Sequence, residues 1–238
     1  GMIVRIDLGK AQGIMPKSEQ IQGERYYPGQ RLKVFLKDVE RGFRGPQLVV
    51  SRGSSEFIRD LFQNEVPEME SGMVEIKNIA REAGVRSKIA VASSTQGVDP
   101  VGTFVGGHGT RVNAVMSEIG EQEKIDIVVF DEDPKTYIVN ALSPTKVTKV
   151  EINEAEKKAT VIVPEDQLSI AIGKSGQNVR LASKLTGYDL DISGEEPKPE
   201  PKAEAKPAQP AGPKPMPRLK RKEQLESSLL EAIEEHGE

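Results

Sequence analysis

The sequence predicts a multidomain α+β protein, and three features of the chain lead to this interpretation. One pattern of helices and strands occurs twice between residues 53 and 193, in an alignment that places Gly106 on Gly173. Four strand-like runs separated by glycine-rich turns precede it in residues 1–52. A segment rich in Pro, Lys and Glu follows in residues 194–238. A chain of 238 residues is long enough for two or three small domains of this kind.

The composition excludes several classes of site. The chain has no Cys, which rules out disulfides and thiolate metal sites. Its two histidines, His108 and His236, are too few for a His-based zinc site. No run approaches the ~20 apolar residues of a membrane span, and the N-terminus lacks the layout of a signal peptide. We therefore predict a soluble, cytoplasmic protein without a metal or other cofactor. Because the net charge is −4, a nucleic-acid-binding surface would have to be a local patch.

Residues 1–52 predict a small β-barrel. The four strand-like runs are "MIVRIDL", "GIMPKSE", "RLKVFLKDV" and "PQLVVSR". They resemble an OB barrel of the S1 type, a fold with five strands, so we expect that its first strand is missing. Gly1 stands before Met2, which also suggests a fragment of a longer protein. The aromatic residues that could stack on bases, but that we expect to pack in the core or in loops, are Tyr26, Tyr27, Phe35 and Phe43.

Each copy of the repeat is predicted to begin with a short helix and a β-hairpin. The apolar stripe of the first helix consists of Phe57, Ile58, Leu61 and Phe62. That of the second consists of Tyr137, Ile138, Ala141 and Leu142. Asp133 and Pro134 fit the N-cap and the first turn of the second helix. The hairpins turn around "REAG" in the first copy and "NEAEKK" in the second.

Each copy continues with two helices joined by a G-x-x-G turn. The first turn is Gly106-Gly107-His108-Gly109 and the second is Gly173-Lys174-Ser175-Gly176, so the first and last glycines coincide when the copies are aligned. Gly120 and Gly187 mark the expected ends of the helices that follow the two turns. The strand-like runs "IDIVVF" and "DLDIS" come next. Each copy is therefore predicted to pack its helices on a three-stranded sheet.

The second turn also contains Gly173-Lys174-Ser175, which is the end of a phosphate-binding P-loop. A P-loop has the pattern G-x-x-x-x-G-K-[ST] and follows a strand. Leu168 occupies the place of its first glycine, and the preceding residues have helical periodicity. The first turn, Gly106–Gly109, contains no G-K-S sequence. We therefore reject a nucleoside triphosphate site.

A helix–G-x-x-G–helix turn is typical of the KH domain, which clamps about four nucleotides. Glycines let the backbone approach a sugar-phosphate chain, and the N-terminus of the next helix attracts phosphate. Lys174, Arg111 and Arg180 would supply cations, and His108 lies at a loop tip. The alternative is that each glycine pair makes only a tight turn between helices. We expect Gly106→Asp with Gly173→Asp to abolish RNA binding and leave the fold intact.

The order of the modules resembles the NusA family of bacterial transcription factors. The runs "DPVGTFVGGHGTRV" and "AIGKSGQNVRLASKLTGYDLDI" carry the resemblance, which covers about residues 2–193. It implies a partial OB domain at 1–52 and two type II KH domains at 53–131 and 132–193. The RNA-contacting positions that it implies are Gly106, Gly107, His108, Gly109 and Arg111, and Gly173, Lys174, Ser175, Gly176, Gln177, Asn178 and Arg180.

The same resemblance implies a function and partners. It implies a monomeric factor that binds single-stranded RNA and acts with RNA polymerase in pausing, termination and antitermination. The polymerase would be bound mainly by a domain that precedes the OB barrel and is absent here. The alternative is an RNA-binding adaptor in ribosome assembly or RNA processing. An enzyme is disfavoured, because only 45 residues, 194–238, remain outside the modules.

The C-terminal segment is predicted to be a disordered spacer. Eight of the 16 prolines lie between residues 197 and 217, which is typical of extended, polyproline-like linkers. Leu225, Leu229 and Ile233 recur at every fourth residue, so a short amphipathic helix is possible after the linker.

Overall fold

The computed structural model describes residues 2–43 and 45–195. The α+β fold class is confirmed, since the described residues form seven α-helices and three separate sheets. The proline-rich linker and the amphipathic helix predicted after it lie outside the described residues, apart from the first two residues of the linker segment. No helix within the described ranges is both long and apolar enough to cross a membrane.

The N-terminal region forms a mixed sheet from the four runs predicted for it. Its strands are β1 (Val4–Asp7), β2 (Gln12–Met15), β3 (Phe35–Gly42) and β4 (Gly45–Ser51). They are ordered β1-β2-β4-β3, with β2 parallel to β4 and the other pairs antiparallel. Two predicted boundaries are wrong. Strand β2 ends before Pro16, which has no N–H to continue a ladder, and a 3₁₀ turn follows at Lys17–Glu19. Strand β3 begins four residues later than predicted.

The two copies of the repeat share one topology. The first contains α1 (Ser55–Glu65), α2 (Pro67–Glu70), β5 (Val74–Glu82), β6 (Arg86–Ser93), α3 (Pro100–Val105), α4 (Thr110–Ile119) and β7 (Lys124–Val129). The second contains α5 (Pro134–Ala141), β8 (Lys149–Asn153), β9 (Lys158–Val163), α6 (Leu168–Ile172), α7 (Gln177–Thr186) and β10 (Asp189–Gly194). In each sheet the middle strand pairs antiparallel with the preceding strand and parallel with the last one. Among these helices and strands, only the single-turn helix α2 was not predicted.

The predicted helix signals are confirmed locally. The Asp133 side chain caps α5 by accepting a hydrogen bond from the Thr136 N–H at 3.0 Å, and Pro134 is the first residue of this helix. Gly120 and Gly187 end α4 and α7. The apolar stripes predicted for α1 and α5 are buried. The local pattern of caps and apolar residues therefore fixes where these helices begin and which face they bury.

The sheet of the first copy, the predicted first KH domain, is covered on both faces. Successive residues of a strand point to opposite faces. One face packs under α1, α3 and α4 through residues such as Ile76 and Val91. The other face contributes Ala80, Ala90 and Val128 to the core of the second KH domain. The Tyr137 hydroxyl joins the two domains as well, because it accepts from Asn78 and donates to the Leu185 carbonyl, both at 3.1 Å.

The N-terminal sheet is fixed to the first KH domain by a buried ionic contact. Arg52 is 1% exposed, and its guanidinium pairs with Glu24 at 2.6 Å and with Glu118 at 2.9 Å. Nearby, Gly84 has a φ of +80°, and a Cβ there would lie 2.2 Å from the Gln22 carbonyl oxygen. The close approach requires glycine. Among the described residues, the N-terminal sheet and the second copy of the repeat therefore both contact the first copy.

Candidate nucleic-acid interface

The two G-x-x-G turns have the same backbone conformation. Gly106 and Gly173 have φ/ψ angles of 76°/166° and 75°/172°. His108 and Ser175, at the third position, are both left-handed, with angles of 54°/25° and 52°/29°. The last glycines, at 75°/16° and 70°/17°, are Gly109 and Gly176. The repeat inferred from sequence spacing is therefore also a repeat in backbone geometry.

The first glycine of each turn is required by packing as well as by its backbone angles. A Cβ on Gly106 would lie 2.8 Å from Cγ of Arg111 and 3.0 Å from its backbone nitrogen. A Cβ on Gly173 would lie 2.8 Å from Cβ of Asn178 and 3.0 Å from its backbone nitrogen. The combination of a positive φ with an extended ψ, which both residues adopt, is also restricted essentially to glycine.

These contacts overturn one expectation from the sequence. Gly106→Asp with Gly173→Asp was expected to leave the fold intact, and that premise is wrong, since both changes force a side chain against the following helix. Gly107 differs, because a Cβ there would have no heavy atom within 4 Å. The second and third positions of each turn are therefore the ones that can be changed without disturbing the helices.

The tips of both turns face solvent. Gly107, His108, Lys174 and Ser175 are all exposed, so corresponding positions have the same accessibility. Neither α4 nor α7 has a side-chain hydrogen bond at its N-cap glycine. The first N–H groups of a helix have no partner within the helix, and they attract anions together with its dipole. The first N–H groups of α4 and α7, those of Thr110 and Gln177, donate to the Gly107 and Lys174 carbonyls of their turns. Each turn thus presents a helix N-terminus without a side-chain cap beside an accessible backbone.

Arg111 and Asn178 occupy equivalent positions and brace their turns. The Arg111 guanidinium donates to the Thr103 carbonyl at 2.7 Å, and the Asn178 amide donates to the Ala171 carbonyl at 3.0 Å. Each side chain therefore ties the second helix of a turn to the first. Arg111 also forms an ion pair with Glu68 of α2, at 3.0 Å. The sequence placed both residues at the RNA surface and gave no sign of these internal bonds.

Arg180 lies one turn into α7 and contacts the first KH domain. Its Nε and Nη2 donate to the two carboxylate oxygens of Glu82, at 2.5 and 3.0 Å. Its Nη1 donates to the Ser175 carbonyl of its own turn at 3.2 Å. The hydrogen bond from Arg180 holds the pKa of Glu82 below its ordinary value. Gln177, the first residue of α7, is half-buried.

The aromatic candidates of the N-terminal sheet divide into two pairs. Tyr26 and Phe35 are half-buried. The Tyr26 hydroxyl donates to Glu24 at 2.7 Å, and burial together with this bond raises the pKa of Tyr26 to about 12. Tyr27 and Phe43 are exposed, so the expectation that they pack in the core or in loops is wrong. Across the residues that the structure describes, no group of three or more His, Cys, Asp or Glu side chains could hold a metal ion.

Comparison with protein families identifies both copies of the repeat. A NusA-like first KH domain matches residues 52–130, and a NusA-like second KH domain matches residues 134–200. The chain belongs to the NusA family. Among solved structures, it aligns with one titled "Crystal structure of APE1850" at a TM-score of 0.44 and 20% identity, over 59% of this chain and 96% of that one.

Curated NusA proteins match most of the chain. The relative from Thermus thermophilus is 52% identical over 187 residues, covering 79% of this chain and 48% of the relative. That from Bacillus subtilis is 50% identical over 192 residues, covering 81% and 52%. That from Mycobacterium tuberculosis is 47% identical over 203 residues, covering 84% and 58%. All three are named transcription termination/antitermination protein NusA. The chain spans about half the length of the NusA relatives that it matches.

Proposed function

We propose that this chain binds single-stranded RNA at its two G-x-x-G turns and serves in transcription elongation with RNA polymerase. The observation that carries the proposal is that two turns with one backbone conformation, both accessible, lie on KH domains that share a hydrophobic core. A glycine pair that only joined two helices would not need exposed tips in both copies.

The RNA backbone would lie against Gly106–Gly109 and Gly173–Gly176. Main-chain N–H groups at the starts of α4 and α7 would meet phosphate oxygens, and Lys174 would add a mobile cation. Gln177 lies at the start of α7, within reach of the same strand. Since one KH domain holds about four nucleotides, two would hold roughly eight of a continuous strand.

The transcriptional role rests on the family. Relatives whose name specifies termination and antitermination are 52% and 50% identical to this chain over 187 and 192 aligned residues. We propose the boundaries 1–52, 53–131 and 132–193 for these domains, and a monomeric, cytoplasmic factor that binds RNA without catalysing a reaction. Polymerase contact would lie mainly in a domain N-terminal to this region in the longer relatives.

Substitutions at the exposed loop tips test the RNA proposal. One variant combines Gly107→Asp with His108→Asp, and the other combines Lys174→Asp with Ser175→Asp. Aspartate tolerates the left-handed conformation of the third position better than most residues. Negative charge beside the phosphates should weaken binding by about ten-fold or more for each turn, since each 1.4 kcal/mol is ten-fold. Fluorescence anisotropy with single-stranded and duplex RNA measures the loss.

The matched control is Lys157→Asp with Lys158→Asp in the β8–β9 turn. Lys157 is also left-handed, with a φ of 52°, and the pair adds at least as much negative charge as either loop variant. Circular dichroism should show folded protein for every variant. Equal losses in the control and the loop variants would contradict the clamp assignment. A pull-down from cell extract that returned ribosomal subunits and no polymerase would replace the transcriptional role with an adaptor role in ribosome assembly.

A further inference from the structure

One ion pair connects the second G-x-x-G turn to the first KH domain. Arg180 of α7 holds the Glu82 carboxylate, at the end of β5, through two nitrogens. The same guanidinium holds the Ser175 carbonyl, at the left-handed position of the turn. A single side chain thus bonds both to the tip of the second turn and to the neighbouring domain, over a sequence separation of 98 residues.

The surroundings of Glu82 leave it available to α7. Its cross-strand partner is Arg86, but the Arg86 guanidinium is bonded to Asp126 of β7 at 2.7 and 3.0 Å. The only other cation within 4.0 Å among the described residues is Lys184, also of α7, at 3.9 Å. The Glu82 carboxylate is therefore directed to the helix that follows the second turn.

The first turn has no equivalent connection among the described residues. When Gly106 is aligned with Gly173, the position that corresponds to Arg180 is Asn113, which is exposed. Arg111 is paired with Glu68 of the same domain. Among the described residues, a side chain that bonds both to a turn tip and to a neighbouring domain therefore occurs in the second copy alone. It lies where the second KH domain packs on the sheet of the first.

We propose that Arg180 and Glu82 are positioning residues, which hold the second turn in register with the first KH domain so that one RNA strand can contact both turns. The proposal rests on the RNA-binding function proposed above. A non-glycine residue with positive φ is strained and persists when its surroundings fix it. The Arg180 bond to the Ser175 carbonyl adds a restraint to the second turn that, within the described ranges, the left-handed His108 of the first turn does not have. A turn ordered before binding saves the RNA the cost of ordering it.

The test compares two carboxylates of one strand in the full chain. Glu82→Gln removes the charge that Arg180 holds. Glu75→Gln, the control, makes the same charge change in β5 at a residue that is 55% exposed and pairs with Lys77. The first readout is amide hydrogen exchange of residues 173–177 without RNA. We expect faster exchange there in Glu82→Gln, with rates in α1 unchanged, and no change in Glu75→Gln.

The second readout is affinity for two single strands, one long enough for both turns and one of about four nucleotides. We expect Glu82→Gln to weaken binding of the long strand about three- to five-fold, the scale of an exposed ion pair. The short strand should change less than about two-fold, because the first turn still binds it.

Two results would overturn the proposal. Tighter binding of the long strand by Glu82→Gln would mean that Glu82 withholds Arg180 from phosphate, which makes Arg180 a direct contact. Unchanged exchange at residues 173–177 would mean that the ion pair does not order the turn. If the unaltered chain failed to bind RNA, the RNA function would be wrong, and the exchange experiment would still decide whether Glu82 orders the turn.

Discussion

The two G-x-x-G turns are alike in backbone and different in side chains. Corresponding φ and ψ angles agree within a few degrees, yet the variable positions are Gly107 and His108 in one turn and Lys174 and Ser175 in the other. The bracing residue is a charged Arg111 in the first and a buried, neutral Asn178 in the second. The comparison separates what the turn requires, which is glycine at its ends and a brace, from what each copy can vary.

The largest expected effect comes from the first glycine, which the two turns share. Gly106→Ala and Gly173→Ala each place a Cβ within 3.0 Å of the following helix. Both also force alanine into a backbone region that costs of order 1–3 kcal/mol. We expect each to lower the free energy of unfolding by about 2–3 kcal/mol in urea denaturation.

Gly107→Ala is the matched control for this comparison. A Cβ at Gly107 meets nothing within 4 Å, and its φ is not positive. The free energy of unfolding of Gly107→Ala should stay within about 0.5 kcal/mol of that of the unaltered chain, as at ordinary surface positions. If Gly106→Ala and Gly107→Ala lowered the free energy of unfolding by the same amount, steric crowding would not explain why glycine occupies the first position.

An intermediate effect should separate the turns by charge. Lys174→Ala removes a cation from the tip of the second turn. The slope of the logarithm of the binding constant against the logarithm of the salt concentration should become shallower by about 0.7 for a single strand, the value for one phosphate contact. His108→Ala removes no lysine or arginine from the first turn, so it should change the slope less than Lys174→Ala does. Affinities measured at a series of salt concentrations test this, and equal slopes for the two variants would remove the distinction.

The smallest effect should appear on acidification. The Arg180 hydrogen bond lowers the pKa of Glu82 from the ordinary 4.5. A carboxylate with a lowered pKa contributes its full stabilisation above its unfolded-state pKa and loses it as the pH falls through the folded-state value. We expect the titration midpoint of Glu82, followed by NMR, to lie below 4.5 and to return towards it in Arg180→Ala. A midpoint unaffected by Arg180→Ala would show that the pair is not formed in solution.

The sequence predicts the repeated parts of the fold because their signals are local. Glycine spacing, apolar periodicity and the Asp133-Pro134 helix start are properties of neighbouring residues, so the turns and hairpins appear where expected. The same reasoning cannot find the Arg180–Glu82 pair, because its members are 98 residues apart and ordinary surface residues in sequence. The Arg111–Glu68 pair is hidden for the same reason, at a separation of 43.

The site was predicted less completely than the fold. The sequence predicts both turns, but it gives no indication that the Asn178 amide donates to the Ala171 carbonyl at 3.0 Å. The sequence alone does not distinguish a basic or polar residue that faces RNA after a G-x-x-G turn from one that bonds the two helices together. In the N-terminal region, Tyr27 and Phe43 were expected to pack in the core or in loops, whereas both are exposed.

Two alanines in the first sheet have a consequence for how a long strand would be held. Ala80 and Ala90 have almost no side chain, so the second KH domain can pack directly on the sheet. The two turns are thereby joined by a shared core, without a flexible tether between them. For a strand already bound at one turn, the other turn would act at a high effective concentration, because no linker freedom would be lost on the second contact. The affinity for a single strand would then depend on its length, because a strand too short to span both turns would gain no affinity from the second turn.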